Sequence, residues 1–234
     1  MGQHGYPMCQ SGDGRHPDLH SNAAAAEDVV ATNEASGGKA AALKLDVANS
    51  SNFPAFRDSV RSVLARNWNA QSFDALVNNA GYGIYEPIET VTEEVFDGLF
   101  RVHLKGPFFL TQALLPLMAD GGHIVNLTSA TSRVGTAGIA PYASFKGGLE
   151  VLTRYMAKEF GARGIRANSV APGPIRTELG GGLNEEFETL LAGQTALGCV
   201  GEPNDVGCMI AGLLSDDNRW VNAQNIEITG GYNI

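Results

Sequence analysis

Tyr142 stands four residues before Lys146 in the stretch "APYASFKGGLEVL". On a helix of about 3.6 residues per turn, the two side chains share one face, a turn apart. A phenol beside an ammonium can act as an acid–base pair, because the free phenol titrates near pH 10 and a nearby positive charge favours the phenolate. Ser129 lies thirteen residues before Tyr142, at the end of "HIVNLTS". Its hydroxyl could donate to an oxygen that gains negative charge during a reaction. Each residue also has an ordinary reading. Tyr142 could be a packed ring, Lys146 a solvated amine, and Ser129 one of several hydroxyls (with Thr128, Thr131 and Ser132) that satisfy backbone groups.

The segments that would position these residues alternate in type. "AAAAEDVVATNEAS" reads as a helix stopped by Gly37-Gly38, and "AAALKLDV" as a short strand closing on Asp46. "FPAFRDSVRSVLARNW" has apolar residues at helical spacing, and "FDALVNNAG" reads as a strand running into a turn. A long helix is expected from about Glu93 to Met118, kinked at Gly106-Pro107 because proline lacks a backbone donor. Strand "HIVNLTS", helix "ASFKGGLEVLTRYMAKEF", strand "IRANSVAPG", helix "DVGCMIAGLL" and strand "NIEITGG" complete the pattern. Strands alternating with helices predict an α/β fold, a doubly wound parallel sheet with both faces covered and ligands at the carboxyl ends of the strands. "LGGGLNEEFETLLAGQ" (Leu179 to Gln194) reads as a mobile insert over that end.

Residues 21–234 read as a single Rossmann-like domain and residues 1–20 as an irregular segment without periodicity. Bulk properties narrow the function. A net charge of −9 without a Lys/Arg cluster argues against nucleic acid as a partner. No apolar run reaches the ~20 residues that span a bilayer, and the start carries no signal-like core, so no membrane role and a cytoplasmic location are expected. Cys9, Cys199 and Cys208 are odd in number and far apart, which suits free thiols in a reducing compartment, with Cys208 read as a small buried residue. His16 and His20 with Cys9 lack a clear fourth ligand, and no metal site is expected.

Four motifs in order, "NNAG" (Asn78 to Gly81), "NLTSATS", the Tyr142/Lys146 pair and "PGPIRTEL" (Pro172 to Leu179), resemble the short-chain dehydrogenase/reductase family from about Ser21 to the C-terminus. The resemblance implies reversible hydride transfer between NADP(H) or NAD(H) and a carbonyl or alcohol. It implies Tyr142 as the general acid or base, Lys146 as its partner and a ribose ligand, and Ser129 as the donor to the substrate oxygen. For the cofactor it implies contacts from Asp46, Val47, Asn78, Ala80, Gly81, Pro172, Gly173, Ile175 and Thr177 as well as Tyr142 and Lys146. NADP(H) is favoured, through Ser21 and Asn22, and NAD(H) is the alternative. A small-molecule carbonyl or alcohol substrate and a homo-oligomer, tetramer or dimer, follow from the same resemblance.

Two departures stand against it. His103, in "FRVHLKGPFF", replaces the asparagine usual in the family. A neutral imidazole offers one donor and one acceptor for a proton relay, and it would titrate near neutrality. The other departure is larger. No apolar strand, glycine-rich turn (Thr-Gly-three residues-Gly-x-Gly) or first helix precedes "SNAAAAEDVV", so the domain reads as N-terminally incomplete. The rival readings are therefore a truncated, inactive remnant that binds no dinucleotide, and an isomerase or dehydratase using the same tyrosine and lysine.

Overall fold

Residues 10–11 and 23–234 are described by the computed structural model of the chain. A four-stranded parallel sheet is its frame, in the order β3 (Phe73–Asn78), β4 (Met118–Leu127), β5 (Arg166–Pro172), β6 (Asn225–Ile228). A separate parallel pair joins β1 (Gln10–Ser11) to β2 (Lys44–Leu45). Helix α1 (Ala23–Ala35) stops before Gly37-Gly38 as its sequence predicts. This is the α/β, Rossmann-like arrangement expected, and the pairings between its described strands are parallel.

Successive residues of β4 point to opposite faces, and both faces are covered. Ile124 enters a core with Phe53, Phe56, Val60, Leu64, Leu114 and Met156, supplied by α2 (Phe53–Val63), α4 (Gly106–Leu114) and α5 (Ala140–Phe160). Val125 enters the other core, under α7 (Pro203–Leu214), with Val170 and Leu213. Cover on both sides leaves β4 buried at every position from Gly122 to Leu127 and β5 from Ala167 to Ala171, so polar residues there such as Asn126 and Asn168 must find partners inside the protein. In α2 the buried residues Phe53, Phe56, Val60 and Val63 recur at three- and four-residue spacing, so one apolar stripe faces the sheet.

The long helix is interrupted, at the place expected but in a different form. Helix α3 (Glu93–Phe100) passes into a π turn over Arg101–Lys105 before α4 begins at Gly106. Pro107 has no N–H to offer the His103 carbonyl, and the wider turn accommodates that missing bond. Gly106 is needed for space: a Cβ there would lie 2.6 Å from the Val47 carbonyl oxygen. The π turn places His103 in the interior, 1% exposed. Helix α4 ends at Leu114 and β4 begins at Met118, so the expected helix is shorter and the strand longer than the sequence suggested.

A buried polar chain fastens two helices to the sheet. Asn78 Nδ2 donates to Asn126 Oδ1 at 2.8 Å and to Thr111 Oγ1 at 3.2 Å. Asn126 Nδ2 donates in turn to Thr153 Oγ1 at 2.9 Å. Asn126 is 0% and Thr153 1% exposed, so these bonds substitute for lost water and set the register of α4 and α5 on β3 and β4.

Candidate active site

Each chemically interesting side chain lies at or just beyond a strand's carboxyl end, where parallel strands stop and their loops diverge. Ser129 follows β4 in extended backbone, 8% exposed. Its Oγ accepts from Thr131 N at 3.2 Å and from Thr131 Oγ1 at 2.9 Å, which leaves its own hydrogen for another acceptor. Tyr142 and Lys146 project from the first turns of α5, with Lys146 Nζ 5.6 Å from the Tyr142 ring centroid. Lys146 is 4% exposed and donates to the Leu127 carbonyl at 2.6 Å, at the end of β4. The helical spacing read from the sequence thus becomes real proximity, because α5 packs against the strand that carries Ser129.

Electrostatics departs from the sequence reading. Burial raises the Tyr142 phenol above its ordinary value of 10.0; a hydrogen bond from Ser129 works against this, and the Tyr85 hydroxyl adds to it. Lys146 therefore does not bring the phenol below its usual range here. Burial instead pulls Lys146 itself down to about 8. His103 also departs from expectation. Burial, followed by the positive charge of Lys146, lowers it to about 3, so it does not titrate near neutrality. Its Nε2 lies 2.8 Å from the Tyr82 carbonyl, an acceptor, so Nε2 carries the hydrogen and Nδ1 an unshared lone pair. That Nδ1 is buried without a hydrogen-bond partner among the described residues. The imidazole meets the Tyr142 ring edge-on at 4.9 Å between centroids.

A cavity of about 800 Å³ joins these groups. Gly81, His103, Ser129, Tyr142, Lys146, Pro172, Gly173, Ile175 and Thr177 all line it. Gly81 lies against the histidine, since a Cβ there would approach His103 Cε1 to 2.8 Å. The other expected cofactor residues lie elsewhere. Asn78 turns into the Asn126 chain described above. Asp46 Oδ1 accepts from Ala48 N at 2.9 Å and caps its own turn, and Asp46, Val47 and Ala80 are not among the lining residues. Ser21 and Asn22, like Cys9, His16 and His20, lie outside the described residues.

Sequence reasoning missed Asn79, Thr128 and the apolar wall from α7 (Pro203, Val206, Ile210), all of which line the cavity. Asn79 had a signal: in a strand, the neighbour of a residue that points into the core points away from it. The insert is partly helical, with α6 at Glu185–Gly193. Arg176 ties it down, donating to Glu188 Oε1 at 2.7 Å and to Glu202 Oε1 at 3.0 Å. Cys208 proves exposed rather than buried, because it falls on the solvent side of α7; Cys199 is exposed as well, and both are free. Among the described residues no group of side chains could hold a metal ion, and no helix is long and apolar enough to cross a membrane.

Comparison with known proteins points in one direction. A family model described as enoyl-(acyl carrier protein) reductase matches residues 19–233. An uncharacterised oxidoreductase of Methylorubrum extorquens is 36% identical over 214 residues, 90% of this chain and 84% of the relative. The (3R)-3-hydroxyacyl-CoA dehydrogenase of Rattus norvegicus is 35% identical, over 83% of this chain and 74% of that protein. Among solved structures, the angucycline C-6 ketoreductase LanV with bound NADP superposes with a TM-score of 0.87 at 32% identity, over 92% of this chain and 84% of LanV. A blue fluorescent protein from a metagenomic library, in complex with NADPH, superposes with a TM-score of 0.86 at 30% identity, over 98% of this chain and 88% of its own.

Proposed function

The chain belongs to the short-chain dehydrogenase/reductase family, and on that premise we propose that it reduces a small carbonyl compound, or oxidises the matching alcohol, with Tyr142 as the general acid or base. The observation that carries this reading is the convergence of Ser129, Tyr142 and Lys146 on one cavity. NADP(H) is the preferred cofactor, supported by the NADP held in the LanV structure and the NADPH held in the metagenomic protein, with NAD(H) as the alternative.

The nicotinamide end of such a cofactor fits the residues present. Lys146 makes one hydrogen bond, to Leu127, and an ammonium carries three donors, so donors remain for a ribose hydroxyl. Pro172, Gly173, Ile175, Thr177 and Gly81 would form the wall that holds it. When bound, the nicotinamide supplies or accepts the hydride. Tyr142, protonated at neutral pH like any phenol and held so by the burial that raises its pKa further, donates its phenolic proton to the substrate oxygen during reduction. Ser129 turns its hydroxyl hydrogen from the Tyr142 oxygen to that same substrate oxygen and stabilises the charge that develops on it. His103 holds its lone pair at Nδ1 beside Tyr142, a fixed acceptor for a water molecule that could resupply the proton. Because its pKa stands near 3, His103 contributes no inflection between pH 5 and 8 to the rate profile. A profile of kcat/KM that breaks near pH 6.5 in the parent chain and not in His103→Asn would overturn that assignment.

The substrate meets an apolar wall from Val206 and Ile210, which suits a ketone or secondary alcohol with a hydrophobic body. A homo-oligomer is part of the same proposal. Phe96, Phe108, Phe109, Val151 and Tyr155, on α3, α4 and α5, are between 39% and 62% exposed, and a second copy would cover them.

Titrating the purified chain with NADPH and then NADH, while following nicotinamide fluorescence, tests the proposal. Saturable binding tighter for NADPH, followed by net NADPH oxidation with a ketone, is the expected result. A folded chain that binds neither dinucleotide would instead be the inactive remnant. Binding without net turnover of free cofactor, with rearrangement or dehydration of a substrate, would assign the isomerase or dehydratase reading.

A further inference from the structure

Ser129 owes its orientation to a turn with little core of its own. The residue stands in extended backbone and caps the short turn Ala130–Ser132. That turn closes through Ser132 N to the Ser129 carbonyl at 3.1 Å and Arg133 N to the Ala130 carbonyl at 3.0 Å. Thr131 donates to Ser129 Oγ from both its N and its Oγ1, which fills the lone pairs and leaves one direction for the hydroxyl hydrogen. The Tyr142 oxygen lies in that direction. Of the turn only Ala130 is buried, whereas Ser132 and Arg133 are exposed. A surface turn with so few buried contacts opens easily unless a side chain fastens it.

Arg133 supplies the fastening. Its guanidinium meets Glu227 of β6 bidentately, Nε donating to Oε1 at 2.6 Å and Nη2 to Oε2 at 2.7 Å. Nη2 also donates to the Tyr232 carbonyl and Nη1 to the Asn233 carbonyl, both at 3.2 Å, so all three nitrogens are engaged. The hydrogen bonds from Arg133 hold the Glu227 carboxyl below its ordinary range, which keeps the pair charged at neutral pH. Residues 230–233 carry the connection further. Asn233 N donates to the Gln194 carbonyl at 3.0 Å, Ala196 N to the Gly231 carbonyl at 3.2 Å and Leu197 N to the Gly230 carbonyl at 3.1 Å. Gly231 has a φ of +79° and a Cβ there would lie 2.7 Å from Ala196 Cβ, so only glycine lets the two segments meet this closely. Thr195, 6% exposed, donates from Oγ1 to the Leu191 carbonyl of α6 at 2.9 Å. One bonded chain thus runs from the Ser129 turn through Arg133 to α6, in the insert whose first residue, Leu179, lines the cavity.

We propose that Arg133 is a positioning residue for Ser129: it fixes the turn that aims the Ser129 hydroxyl at the reacting oxygen, and it makes that aim depend on residues 230–233 and on the insert packed against them. Three features separate this role from that of an ordinary surface ion pair. An isolated exposed pair stabilises little and needs one contact, whereas Arg133 joins three segments far apart in the sequence. The planar fork fixes an angle as well as a distance, which a lysine does not. The Arg133 N–H itself closes the turn, so movement of this residue is transmitted to the cap at Ser129. A group misplaced by about 1 Å costs about a hundredfold in rate. Arg133 is not among the residues lining the cavity, so its effect passes through Ser129. The assignment rests on the proposed reduction, in which Ser129 donates to the substrate oxygen.

Kinetics of the full chain with NADPH and a ketone test the proposal. Arg133→Ala should lower kcat at least tenfold, roughly what a fraction of an ångström of misplacement costs, while KM for the ketone and the affinity for NADPH stay within about threefold. Arg133→Lys, which keeps the charge and loses the fork, should recover less than about a third of the parent kcat. The decisive comparison is made beside Ser129→Ala. There Arg133→Ala should change kcat by less than about twofold, because an effect that passes through Ser129 has nothing left to act on. An equal fall in both backgrounds would overturn the proposal and leave Arg133 a structural ion pair. If Arg133→Ala does not fold by circular dichroism, Glu227→Gln carries the same comparison, with an expected fall of at least about threefold in the parent and less than about twofold beside Ser129→Ala. Amide hydrogen exchange gives a readout without catalysis: Arg133→Ala should speed it at least about fivefold at Ser132 and Val134 in the turn, and at Ala196 and Leu197 beyond residues 230–233. Unchanged exchange at those amides also overturns the proposal. A parent chain that binds NADPH and turns over no carbonyl compound overturns the oxidoreductase reading instead, and the exchange result then decides alone whether Arg133 fastens the turn.

Discussion

Tyr142→Phe lowers the rate of carbonyl reduction by about 10² to 10⁴-fold, the usual contribution of a positioned proton donor. The ring stays in place against His103, and only the hydroxyl is lost. Stability should change by no more than about 1 kcal/mol, the net worth of the one hydrogen bond that the Tyr142 oxygen accepts from Ser129. NADPH affinity, followed by nicotinamide fluorescence, should stay within about threefold, which separates loss of chemistry from loss of the fold. The raised phenol pKa gives the parent enzyme a directional signature. Reduction needs the protonated phenol and proceeds at neutral pH, whereas alcohol oxidation needs the phenolate and accelerates as pH rises towards and beyond 10. A Tyr142→Phe enzyme that keeps more than a third of the parent rate would remove Tyr142 from the chemistry.

The second large effect acts in opposite directions on activity and stability. Lys146 is pulled from 10.5 to about 8 by burial, so its charged form is disfavoured in the fold. At about 1.4 kcal/mol per pKa unit, the native state carries a cost on the order of 3 kcal/mol wherever the amine is charged in both states. The sign follows from proton counting. Below pH 8 both folded and unfolded chains hold the proton and the full cost applies; between about pH 8 and 10.5 the folded chain has released it while the unfolded chain retains it, so stability rises with pH. Lys146→Met should therefore be more stable than the parent at pH 7 in urea titration, with the gap narrowing through that window. The same variant should lose about a hundredfold or more in kcat/KM, since it removes the donors proposed for the ribose and the charge beside Tyr142. A stability gap that does not move with pH would show that Lys146 is solvated, contrary to its burial.

Much of this was legible in the chain before folding. Alternating apolar strands and amphipathic helices determined an α/β sheet covered on both faces, since each element's periodicity dictates which side it must bury. The spacing of Tyr142 and Lys146 determined a shared face of α5, and the motif at "NLTSATS" put Ser129 at a strand end, because these relations span one or two turns of local geometry. Cys208 shows the limit of periodicity: a small residue on an amphipathic helix can sit at the boundary of the stripe, and only packing against the sheet decided that it faces solvent.

Long-range neighbours decided the remainder. Asn78 looked like a ligand-binding residue by position, but Thr111 and Asn126, brought to it by α4 and β4, draw its side chain into the core. Asp46 caps Ala48 because the short β2 leaves its turn beside it. Titration was equally hidden. His103, Tyr142 and Lys146 each have an ordinary pKa as free side chains, and it is their mutual burial around one cavity that lowers the histidine to about 3, raises the phenol and lowers the lysine to about 8. The sequence determined which groups meet at the sheet's carboxyl end; how much water reaches them, and hence which protonation states they hold, was decided only by the tertiary packing, because desolvation depends on all the atoms that surround a group and not on its neighbours along the chain.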